Sequence, residues 1–238
     1  MKKLKFLSFP LCMLAAVALL TSCKVNGKGD LIDGTFELAP FTGIVNNISA
    51  DVHITQAATQ YVDVVAQKNI IENMKLEVTD GKLNIGFEKD AYSFEPININ
   101  ISIPELSSLT INGSGNMNTT NTFDSCGTVL LTISGSGNIR AWLNASTKTY
   151  STISGSGNIS LNGFSPAHDI SISGSGDIKA FPFHTYHTVV DIAGSGDCEL
   201  WADSTLGVNI SGSGNVYYKG YPVINSTITG SGSVNNAN

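Results

Sequence analysis

The sequence predicts an all-β protein built as a parallel β-helix, a single-stranded β-solenoid with about 18–22 residues per coil. Three observations carry this reading. The stretch Ile133-Ser134-Gly135-Ser136-Gly137-Asn138-Ile139 returns unchanged at 153–159 and in near-copies along the chain. The first glycines of these copies are Gly113, Gly135, Gly155, Gly174, Gly194, Gly212 and Gly230, in steps of 22, 20, 19, 20, 18 and 18. Around each copy, apolar or minimal residues alternate with polar ones, as in Leu131, Ile133, Gly135, Gly137, Ile139 and Ala141, which is the period of a half-buried strand.

The phase of the repeat selects the solenoid over an antiparallel meander closed into a barrel or sandwich. A meander places one turn signal every 8–12 residues, whereas here the whole signature recurs in the same order only every 18–22. Equivalent strands then stack parallel, about 4.8 Å apart, and twenty residues suit a coil of three short strands. No stretch after the N-terminal segment has a sustained helical period.

The first 22 residues read as a processing segment, with a basic start (Lys2, Lys3, Lys5), a short apolar run and the box Leu20-Thr21-Ser22-Cys23. The run is short for a membrane span and contains Pro10. The box resembles that of bacterial lipoproteins, so Cys23 is the expected lipidation site and residue one of the mature chain. A plain secreted protein is the alternative. Removing the three lysines takes the formal net charge from -6 to -9, and Arg140 is the single arginine, a poor composition for binding nucleic acid. Residues 23–35, with the Gly, Lys and Asn of 24–30, read as a tether.

Residues 36–109 lack the paired glycines but show strands at 43–48, 52–55, 61–66, 74–78, 83–87 and 97–103, with Asp80-Gly81 as a turn. Ser49-Ala50-Asp51-Val52 looks like a degraded bend. These residues are expected to form irregular β-coils covering the N-terminal end of the solenoid; a separate small β domain is the competing view.

Residues 110–238 form the regular repeat. Glycine weakens a strand by roughly 0.5–1 kcal/mol, so its recurrence demands a reason. If Gly135 and Gly137 point inward at a bend, any larger side chain would crowd the interior or the neighbouring coil. Two apolar ladders flank the bend, one from Ile111 to Ile228 through Ile133, Ile153, Ile172, Ile192 and Ile210. The other runs Met117, Ile139, Ile159, Ile178, Cys198, Val216 and Val234. Each such residue returns roughly 1.5–3 kcal/mol when fully buried. A flexible Gly/Ser linker would not need isoleucine at fixed offsets. The residues after the motifs (Asn116, Asn138, Asn158, Asp177, Asp197, Asn215, Ser233) suggest an asparagine ladder, which the like charges of Asp177 and Asp197 should interrupt. Cys198 takes a core slot; Cys126 lies elsewhere in a coil several turns away, so both thiols are expected free. The chain stops just past the last motif, leaving an incomplete final coil whose edge is open to pairing.

Several features in order resemble one family. They are Phe41-Thr42-Gly43-Ile44, then Asp51-Val52-His53-Ile54-Thr55, then Gly81-Lys82-Leu83-Asn84-Ile85, then Ile103-Pro104-Glu105-Leu106-Ser107-Ser108-Leu109, completed by Ile111-Asn112-Gly113-Ser114-Gly115. The series, spanning about 36–233, resembles the bacterial "putative auto-transporter adhesin, head GIN domain" family. The resemblance implies a right-handed β-helix, secretion or lipid anchoring in gut and environmental Bacteroidota, and adhesion; it supplies no catalytic residues. Residues 24–30 lack the acidic run that often accompanies surface export in that phylum, which leaves the periplasmic and the cell-surface faces of the outer membrane both open.

Chemistry is sparse. Asp177 and Asp197, one coil apart, are the best candidates to act as acid and nucleophile or to share a cation, but they sit at a recurring bend where asparagine serves equally well in other coils, so plain turn chemistry is the preferred reading. His184 and His187 face opposite ways on a strand, and His53 and His168 have no evident partners. Gly-Ser-Gly without a following helix is not a nucleophile elbow. Position seven beyond each first glycine holds Thr120, Trp142, Asn162, Phe181, Trp201 and Lys219. Phe181 and Trp201 are expected as outward neighbours, with Tyr217 and Tyr221 nearby, a surface suited to sugar rings or a protein contact, or else cover for a turn. Asp203-Ser204-Thr205 resembles a short O-glycosylation pattern of Bacteroidota. The sequence therefore predicts a non-enzymatic envelope protein with an adhesive, scaffold or interaction role. The alternative is a carbohydrate-binding or polysaccharide-active protein. No cofactor is implied; the expected partners are the membrane, through the lipid, and an envelope protein or glycan.

Overall fold

The computed structural model describes residues 25–238; the processing segment and Cys23 lie outside the described residues. The chain is a parallel β-solenoid of about six turns. Seventeen strands form one continuous sheet, and one hydrophobic core runs from Phe41 to Val216.

The register follows the motif. Ile111, Ile133, Ile153, Ile172, Ile192, Ile210 and Ile228 stand partner to partner in successive coils. Met117 through Val234 do the same on the other side of the bend. Each regular coil is one long bent strand (Asn138–Gly155, Asn158–Gly174, Ile178–Gly194, Cys198–Gly212) rather than three short ones. Hydrogen bonding persists around most corners because the coil beneath turns at the same place; other corners show only as register shifts, as between Asn144 and Thr149.

The motif is the sharp corner, and its two glycines have different duties. The first is partly exposed rather than inward, with φ between +127° and +153° across the seven copies, a backbone region costly for any side chain. The second is buried in every copy but the last, and at Gly157 an added Cβ would fall on the Gly137 carbonyl oxygen and within 2.7 Å of Ile133 Cγ2. What excludes larger residues is thus chiefly the backbone of the preceding coil. That close approach is used: Ser156 and Gly157 both donate their N–H to the Gly135 carbonyl, at 2.9 and 3.1 Å, and the same double donation recurs at every later motif.

The N-terminal half joins the stack out of chain order. Gly43–Asn46 and Ala50–Gln56 make a coil with Ser108–Ile111 and Asn116–Thr119 on one side of it. On its other side lie Lys82–Phe87 and Ile97–Ile103. The middle coil is therefore visited first. Its bend, residues 47–50, lacks glycine and is held by the buried Asn46, whose Oδ1 accepts from Ile48 N–H and whose Nδ2 donates to the Ala50 carbonyl, both at 3.1 Å. Beyond the last parallel coil the pairing turns antiparallel, through Tyr61–Gln67 on Ile97–Ile103 and on Leu31–Phe36, and through Met74–Thr79 on Lys82–Phe87. A single helical turn, Lys68–Ile71, buries Ile70 there. At the opposite end Val223–Gly230 is exposed along its whole length.

Cys126 and Cys198 are buried free thiols, and burial pushes the Cys198 thiol far up. His168 is fully buried, 2.8 Å from Ser151 Oγ and edge-on to Phe183. Desolvation lowers its pKa to about 3.

Two outcomes are expected. Gly155→Ala, which meets both a positive φ and the Gly135 carbonyl, should lose at least about 2 kcal/mol in denaturant titration, whereas Gly207→Ala, with its nearest atom at 3.9 Å, should change stability by under about 1 kcal/mol. His168 takes up a proton on unfolding at any pH between about 3 and 6.5, so its contribution is complete above pH 6.5 and is lost as pH falls through that window. Between pH 6.5 and 5, where most carboxylates stay ionised, unfolding midpoints should fall for the native chain and fall less for His168→Phe.

Candidate functional site

The strand that leaves each motif presents three outward positions: the ladder residue, then two and four residues beyond it. In successive coils these are Asn138, Arg140, Trp142; Asn158, Ser160, Asn162; and Asp177, Lys179, Phe181. The first column is an unbroken hydrogen-bond ladder. Asn138 Nδ2 donates to Asn116 Oδ1 and Asn158 Nδ2 to Asn138 Oδ1, both at 3.0 Å. Asp177 and Asp197, expected to interrupt it, do not. Lacking a side-chain donor, each contributes its backbone N–H instead, Asp177 to Asn158 Oδ1 at 3.1 Å and Asp197 to Asp177 Oδ1 at 2.9 Å. Asn215 then donates its N–H and its Nδ2 to Asp197 Oδ1. One oxygen of each carboxylate is thus spent on the next coil, and among the described residues no group of three or more His, Cys, Asp or Glu is placed to hold a metal ion.

The aromatic residues divide into separate sets. Trp142 and Phe181, two coils apart and both half-buried, line one cleft of about 330 Å³ with Arg140, Lys179, Asn162 and Glu199. Lys219 Nζ sits 4.9 Å from the centre of the Phe181 ring. Trp201 is not the neighbour of Phe181. Ala180 pairs with Leu200, but His184, not Phe181, pairs with Trp201, so three extra residues bulge from the earlier coil at this corner. Trp201 accordingly stacks on His184, with ring centroids 4.2 Å apart, and its Nε1 donates to Asp203 Oδ1 at 2.8 Å. Tyr217 stands beside Glu199 in the next coil, while Tyr221, 88% exposed, follows the turn at Gly220. His187 Nδ1 lies 2.9 Å from Thr205 Oγ1, and Asp203-Ser204-Thr205 is exposed.

Sequence reasoning missed a larger cleft, about 810 Å³, at the N-terminal end, with Phe36, Leu38, Tyr61 and Pro104 among its walls. Those walls come from distant stretches with no shared motif. Gln60 there is committed to the fold, accepting from Phe41 N–H and donating to the Leu38 and Ala39 carbonyls, each at 3.1 Å.

A regular parallel solenoid with an outward face of rings and charges, beside carboxylates committed to hydrogen bonding, defines the class as a β-solenoid protein. The chain belongs to the family described as "Putative auto-transporter adhesin, head GIN domain", whose profile matches residues 40–222. A solved "putative adhesin" from Bacteroides fragilis NCTC 9343 is 21% identical, with 89% of this chain and 99% of that one covered and a TM-score of 0.80. Two proteins from Parabacteroides distasonis ATCC 8503, described as a "putative adhesin" and a "putative lipid binding protein", are each 26% identical over 90% of this chain and 100% of theirs, with TM-scores of 0.72 and 0.74. No curated protein matches the chain.

The ladder geometry predicts that Asp197→Asn, which keeps the accepting oxygen, changes stability by less than about 1 kcal/mol, whereas Asp197→Ala, which strands the donors of Asn215, costs about 1–2 kcal/mol. Thermal midpoints of the two variants, with and without millimolar calcium, check this; calcium should move neither.

Proposed function

We propose that this chain is a non-enzymatic adhesive or interaction module, lipid-anchored through Cys23 in the outer membrane. The observation that carries the reading is the face around Trp142 and Phe181: rings and unspent charges gathered in one cleft on the outside of the solenoid, in a member of an adhesin family. Several structural relatives are themselves described as adhesins. The arrangement suits recognition without turnover, because Asp177 and Asp197 already serve the ladder. Among the described residues no helix is long and apolar enough to cross a membrane.

A second reading, glycan recognition, is favoured by the cleft itself. Two aromatic rings separated by hydroxyl and amide groups suit the apolar faces and the hydroxyl edges of sugar rings.

Cys23→Ala should move the protein from the membrane fraction to the soluble fraction and abolish incorporation of labelled fatty acid. Cells displaying the native chain should attach to their target surface several-fold better than cells displaying Trp142→Ala with Phe181→Ala at equal abundance. Attachment unchanged on deleting the whole chain would remove the adhesive reading.

A further inference from the structure

We infer that the outward face of the strands leaving the motifs binds an extended acidic polysaccharide, laid along the solenoid axis, in which one sugar of every two carries a negative charge. The inference rests on the glycan reading and narrows it.

The carrying observation is an alternation with a period of two coils. Arg140 and Trp142 stand two residues apart on one coil, and Lys179 and Phe181 stand the same way two coils on, with Ser160 and Asn162 on the coil between. Each cation is therefore repeated about 9–10 Å further along the axis, twice the strand spacing. That step is comparable with the advance of one disaccharide in an extended glycan. Two coils beyond Lys179 the same column holds Tyr217, and Lys219, two residues further along that strand, reaches back to the Phe181 ring and adds a third cation at the margin of the cleft.

The charges are available. Arg140 and Lys179 are exposed, and among the described residues neither makes an ion pair or a side-chain hydrogen bond. The lining of the cleft carries two unpaired cations against one carboxylate, that of Glu199, a local excess of positive charge that an anion from outside can meet. Guanidinium and ammonium groups meet carboxylate or sulfate in charge-assisted hydrogen bonds.

The intervening coils set the limit on that charge. They present Ser160 and Asn162, then Glu199, which lines the same cleft. Glu199 accepts hydroxyls and repels an anion, so a neutral sugar fits there and a charged one does not. The carboxylates of Asp177 and Asp197 on the neighbouring column act in the same sense. A strand of nucleic acid, with charge at every unit, meets these acids unrelieved.

The test uses the mature chain carrying Cys23→Ser in calorimetric titration against three polymers. They are hyaluronan, in which uronic acid alternates with a neutral amino sugar; the same polymer with its carboxyls reduced to alcohols; and polygalacturonate, charged on every sugar. The expected order is hyaluronan first, with the reduced polymer and polygalacturonate each at least tenfold weaker. Arg140→Gln and Lys179→Gln should each weaken hyaluronan binding about fivefold or more and lower its salt dependence, with unchanged thermal midpoints. Equal binding of the reduced polymer, or indifference to the paired Gln substitutions, overturns the charge assignment and leaves glycan recognition standing. Polygalacturonate bound as tightly as hyaluronan overturns the two-sugar period. Binding of none of the three overturns this inference, while retention of neutral glycans on an array would show that the broader reading survives it.

Discussion

The fold depends on how closely one backbone can pass another at the glycine corner. A single carbonyl, such as that of Gly135, receives two N–H groups from the coil that follows. A side chain on the second glycine would occupy the space of the preceding coil's carbonyl oxygen. Because the same contact recurs at each motif, it sets the phase of every coil, and the isoleucine ladders meet only when that phase holds. The hydrophobic stacking that stabilises the molecule is thus permitted by a polar contact between minimal residues.

Much of this is legible in the sequence, for a physical reason. Ile133 and Ile153 can be paired by counting alone, because both lie two residues before a glycine that admits no substitute. Where that marker is missing, counting fails. Residues 174 and 194 are twenty apart and 194 and 212 eighteen, but nothing in the motif says where a coil stores its extra residues. The structure places three of them at the Phe181 corner, which carries Trp201 away from Phe181 and onto His184. The continuity of the aspartate column escapes the sequence for another reason: side-chain chemistry shows only the lost donors, and a backbone N–H replaces them. In the N-terminal half, Asp51 announces a bend, but no repeat marks the order in which those coils stack.

The candidate face follows from the same regularity. Outward positions inherit the spacing of the corner, so any residue type placed on alternate coils becomes a ruler along the axis. Arg140 and Lys179 are placed that way. The site is only partly readable because its composition lies in single residues of separate coils, whereas its geometry lies in the register that joins them. Parallel pairing fixes the separation of Arg140 and Lys179 more firmly than a loop would, whereas Phe181 sits on a bulge beside that register.

The swapped order of the N-terminal coils bears on how the molecule assembles. Strands Gly43–Asn46 and Ala50–Gln56 are synthesised early, yet both of their neighbours come later in the chain, the farther one at residues 108–119. During biogenesis this first-made layer keeps two raw edges until nearly half the polypeptide has emerged, and its closure carries the entropic penalty of long loops. Once it closes, each later layer can be added alone, against a template already in place. Each glycine-marked layer pairs mainly with the layers directly before and after it, so that part of the stack is open to lengthening by duplication without disturbing what came before.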